Sequence, residues 1–98
     1  MAEESLYEDE DIKITSFYRD PESHTIHILK PGNRYILNRG VLKELATTSR
    51  DDLEKKINEM NSSILHDARK YGLSVDSIGM AIAQAYIEEE ERFRREDL

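Results

Sequence analysis

The chain has 98 residues, 36% of them charged and 38% apolar, with a net charge of −7 and no cysteine. That length suits one domain with a modest core, and the lack of cysteine excludes a disulfide scaffold, a thiol nucleophile and zinc sites built on thiolate. No apolar run approaches the roughly 18 residues of a membrane span, and the acidic start lacks the basic and apolar parts of a signal peptide, so a cytoplasmic protein is expected.

Charge is unevenly spread. Residues 1–12 carry six acids and no base, residues 13–50 seven bases and three acids, and residues 51–98 seven bases and twelve acids. The run Glu8-Asp9-Glu10-Asp11 repels itself and has nothing to bury, so residues 1–11 read as a disordered acidic arm. The remainder, 12–98, reads as a single α+β domain: a meander over 12–38 and helices over 39–98.

In the meander, Ile12 and Ile14 alternate with Lys13 and Thr15, a period of two. Arg19-Asp20-Pro21-Glu22-Ser23 is turn chemistry. His24 to Leu29 resumes the pattern with Ile26 and Ile28 on one face. Lys30-Pro31-Gly32-Asn33 suits a type II turn with Gly32 at positive φ, and Arg34 to Leu37 forms the last strand. This predicts a three-stranded antiparallel β-meander followed by a short helix and two longer α-helices.

Asn38 caps the short helix, which carries Val41, Leu42 and Leu45 inward. Ser49 opens the first longer helix, with Asp51 and Asp52 favoured by the dipole in its first turn. Its apolar positions are Leu53, Ile57, Met60, Ile64, Ala68 and Tyr71, in steps of four and three, close to a coiled-coil seam. Gly72 closes it. Ser74 caps the last helix, and Leu73 and Ile78 make a hydrophobic staple. Its charged tail allows the pairs Glu88–Arg92, Glu90–Arg94 and Glu91–Arg95.

Five constellations bear on function. The stretch from Asp67 to Ile78 has helix-turn-helix spacing. Its second helix, however, offers Asp76, Ser77, Met80 and Gln84, where reading DNA calls for bases and amides. Lys30, Arg34 and Arg39 flank a Pro-Gly turn and a helix start, a candidate anion-binding set without a glycine-rich phosphate loop. His24 and His27 fall on opposite faces of a strand and cannot share one ion there, so neither metal nor cofactor is expected. The carboxylates lie in runs on wet surfaces, unlike the isolated, partly buried acids that acid–base catalysis uses, so no catalytic residue is assigned and no enzyme is expected.

The fifth is apolar helix surface in excess of what three short strands can cover. Leu53, Ile57, Met60, Ile64, Gly79, Ala83 and Tyr86 are the candidate interface. The leading expectation is a small acidic regulatory or adaptor protein acting by protein–protein contact, as a homodimer. The alternatives are a nucleic-acid-associated regulator using the helical corner and the basic middle segment, or a binder of small anionic ligands.

Overall fold

The meander read from residues 12–38 is present, and one further strand precedes it. The computed structural model describes residues 3–30 and 32–96. Its elements run β1 (Glu3–Glu8), β2 (Ile12–Phe17), β3 (His24–Ile28), β4 (Asn33–Leu37), α1 (Arg39–Ala46), α2 (Arg50–Met60), α3 (Ser62–Lys70) and α4 (Val75–Glu96). The strands form one antiparallel sheet in the order β1-β2-β3-β4. The α+β class stands, with four strands in place of three and four helices in place of three.

The expected disordered arm is therefore corrected: Glu3–Glu8 pairs along β2, from Glu3 opposite Phe17 to Glu8 opposite Lys13. Two features overcome the like charges. Asp9 makes the connecting turn, its Oδ1 accepting from the backbone N–H of Asp11 at 2.7 Å and of Ile12 at 2.8 Å. Burial alone would raise the Asp9 carboxyl, but these bonds and one from the Tyr7 hydroxyl hold it below its ordinary value. A register shift between Ser5 and Tyr7 then buries Leu6 and leans Tyr7 on the same core.

The β2–β3 and β3–β4 connections fall where turn chemistry placed them. Asp20 accepts from Glu22 N–H and Ser23 Oγ, and Gly32 sits at φ 104°, a conformation open to glycine. Pro31 lies outside the described residues. Ile12, Ile14, Ile26, Ile28, Tyr35 and Leu37 point from the sheet into the core, and the helices cover that face.

The long helix expected from Ser49 to Tyr71 is two helices. Asn61 breaks it with extended backbone (φ −163°, ψ 106°), and its side chain caps α3 by accepting from Ser63 N–H. Asn61-Ser62-Ser63 competes with helix backbone for hydrogen bonds, although the apolar stripe runs on through it. α3 ends with Gly72 at φ 80° and the paired bonds Leu73 N–H to Ala68 O and Gly72 N–H to Arg69 O, a Schellman closure. Ser74 Oγ accepts from Ser77 N–H to start α4. Among the described residues, no helix is long and apolar enough to cross a membrane.

Candidate functional site

α4 is 22 residues long and carries two different faces. Ile78, Ala81, Ile82 and Ala85 are buried against the sheet and α1. One turn further along the same face stands Glu89, only 5% exposed. A carboxylate there needs partners, because an unpaired buried charge is costly. His24 on β3, 1% exposed, meets Glu89 Oε2 through Nε2 at 2.7 Å. Arg39, the first residue of α1, brings Nε to 3.3 Å from Glu89 Oε1, without hydrogen-bond alignment. Its other end donates to Glu90 Oε1 at 2.8 Å.

The backbone sets this meeting point. Arg39 N–H donates to Pro21 O at 2.7 Å, which ties the start of α1 to the β2–β3 turn. That turn holds Arg19 at φ 56°, in the left-handed region. The guanidiniums of Arg39 and Arg19 lie over the Phe93 ring, 4.1 and 5.9 Å from its centre, a favourable cation–π arrangement. Arg19 also pairs with Glu96, which accepts from the Tyr18 hydroxyl. An open hollow of about 430 Å³ is lined by Arg19, Arg39, Glu90, Phe93 and Arg94. A smaller one of about 140 Å³ reaches His24 and Glu89. Carboxylates answer both Arg19 and Arg39, so this corner fastens α4 to α1 and the turn more than it gathers positive charge. Among the described residues, no group of three or more His, Asp or Glu is placed to hold a metal ion.

The expected anion set is not one site. Lys30 and Arg34 lie at the β3–β4 turn, whereas Arg39 follows the far end of β4. Five residues of strand keep them about 17 Å apart at roughly 3.4 Å per residue. The neighbours of Arg39 are Arg19 and Arg94, which sequence spacing did not connect to it.

The expected interface is corrected in the same way. Leu53, Ile57 and Ile64 are buried in the chain's own core, and Met60 and Tyr86 pack half-buried against it. Gly79 admits Leu53 of α2: a Cβ on Gly79 would lie 2.4 Å from Leu53 Cδ2. The close approach at Gly79 is thus between α2 and α4 of one chain. Of the seven residues only Ala83 lies on the outer face of α4.

That outer face carries two large apolar side chains. Met80 is 58% exposed and Ile87 55% exposed. With Ala83 between them, they face away from Ile78, Ile82 and Ala85. Asp76 flanks them at one end and Arg94 at the other, both exposed. Asp76 pairs with Arg50 at 2.7 Å; Arg94 has no ion partner among the described residues. No protein family model matches this chain, and no curated protein or solved structure does.

Proposed function

We propose that this protein is a small interaction module that works by protein–protein contact through the solvent face of α4. One observation carries the reading. Met80 and Ile87 stand more than half exposed, two turns apart, on a helix whose opposite face already closes the core. Single exposed apolar residues are ordinary; two aligned around a small Ala83, with charges only at the ends, make a surface suited to another helix.

A photo-reactive residue at Gln84, beside the stripe, tests this in host cells. It should yield a protein adduct, whereas the same residue at Lys13, on the uncovered face of the sheet, should not. Equal capture at both positions, or none at either, would remove the reading.

A small anionic ligand is the alternative, and what favours it is Arg94, which lines the 430 Å³ hollow and has no ion partner among the described residues. Calorimetric heat with inorganic phosphate that disappears in Arg94→Ala would raise it above the first.

A further inference from the structure

The reading of α4 as an interaction surface leaves its occupant open, and the pattern of the surface itself names one. Asp76, Met80, Ala83, Ile87, Glu90 and Arg94 follow one another in steps of 4, 3, 4, 3 and 4. That spacing keeps side chains on one line facing a second helix. The line runs over 18 residue steps, about 27 Å at a rise of 1.5 Å per residue.

The line is chemically polar from end to end: an acid, then Met80, Ala83 and Ile87, then Glu90, then a base. Laid against itself in parallel, it would set Asp76 on Asp76 and Arg94 on Arg94. Turned about a two-fold axis at the level of Ala85, it sets Asp76 opposite Arg94 at both ends and Ala83 opposite Ile87 twice in the middle. A small residue facing a branched one lets two helices come close, and antiparallel helix dipoles favour the same sense. Met80 then meets Glu90, whose carboxylate is already turned to Arg39 of its own chain, which leaves its aliphatic stem toward Met80. The Asp76 carboxylate has two oxygens, so its bond from Arg50 leaves it able to accept from a second cation.

We propose that the occupant is a second copy of this chain, with α4 packed antiparallel on α4 and Asp76 paired to Arg94 across the axis. The contact is one helix pair, at the low end of specific interface sizes, so self-association with a dissociation constant on the order of tens of micromolar is expected.

Sedimentation equilibrium on the full chain, with Asp76→Arg and Arg94→Asp, tests it. Alone, each variant sets like charges at both ends of the pair, and its self-association should weaken at least about tenfold. Mixed in equal amounts, the two should form a heterodimer near wild-type affinity, because every contact is then acid against base. Asp76→Arg also loses its pair with Arg50, so thermal melts accompany both variants. The mixing result needs only that each variant folds.

A wild type that stays monomeric at high micromolar concentration overturns the proposal. So does a dimer indifferent to both variants, or one that mixing does not restore. A monomeric wild type whose position 84 is still captured by a different protein would end self-pairing while leaving the interaction reading in place; no capture at all would end both.

Discussion

Removing either partner of the buried His24–Glu89 pair should destabilise the domain severely, while removing both should not. Both side chains are almost wholly enclosed and their bond is 2.7 Å long. In Glu89→Leu, His24 Nε2 loses its partner while Nδ1 has none among the described residues, and Arg39 retains its pair with Glu90. In His24→Leu, Glu89 keeps only the unaligned approach of Arg39. Leaving a buried polar group unsatisfied costs about 1–3 kcal/mol, and leaving a buried carboxylate without its partner about 3–5 kcal/mol. The ranges meet near 3 kcal/mol for each single variant. In a domain of this size that corresponds to a fall in melting midpoint of roughly 12–24 °C. The double variant replaces the pair with apolar side chains and should lose less than the sum of the singles by at least about 1 kcal/mol. Urea unfolding followed by circular dichroism measures all four corners of the cycle. Single variants that each lose under about 1 kcal/mol, or strict additivity, would refute the reasoning.

Three further outcomes follow from other contacts. Burial, and then the hydrogen bond to Asp67, push the Tyr35 hydroxyl from 10.0 up to about 12. Its contribution to stability is therefore complete below pH 10 and lost as pH rises through about 12; Tyr35→Phe should delete the last tyrosinate step from the ultraviolet titration, and an unchanged titration would contradict the assignment. Gly79→Ala gains about 1 kcal/mol of helix propensity but presses on Leu53, at about 1–3 kcal/mol, so a net loss is expected that Leu53→Ala in the same chain relieves; a more stable Gly79→Ala would mean that Leu53 has room to turn away. Deleting residues 1–8 removes the β1 ladder and the burial of Leu6, the latter alone about 1.5–3 kcal/mol. The midpoint should then drop by about 10 °C or more, and a shift of only a few degrees would make the segment a loosely held arm.

What could be read from the sequence was whatever the local pattern decides. Alternating isoleucines marked β2 and β3, and Asn38 and Ser74 announced the starts of α1 and α4, where both now cap. β1 escaped because its acids find their partners far along the chain: Glu4 with Arg92, Glu3 with Thr15 and His27. Of the three charge pairs expected along α4, Glu88–Arg92 forms at 2.8 Å, while Glu90 turns to Arg39. Asn61 was passed over because the stripe from Leu53 to Tyr71 keeps its spacing across the break. Glu89 was legible and missed. It stands in a run of four glutamates that looks uniformly wet, yet Ile78, Ile82, Ala85 and Glu89 follow in steps of 4, 3 and 4 on the face that is buried. The interface was misplaced because helix surface was weighed against three strands alone, whereas α1, α2, α3 and α4 also cover one another.

Arg92 reaches across the fold to Glu4 at 3.2 Å and to the carbonyl of Ser5 at 3.0 Å, and so clasps β1 from 87 and 88 positions away. On a ribosome making about 5–20 residues per second, roughly 5–20 s separate the two sides of that clasp. Once residue 37 is made, a sheet formed by these strands would hold Ile12, Ile14, Ile26 and Ile28 on an apolar face without its longest cover, beside open strand edges, until α4 follows. The nascent chain is then most exposed to pairing with a neighbour on the same message, and slowing translation between residues 38 and 75 should lower soluble yield more than slowing it anywhere after residue 92.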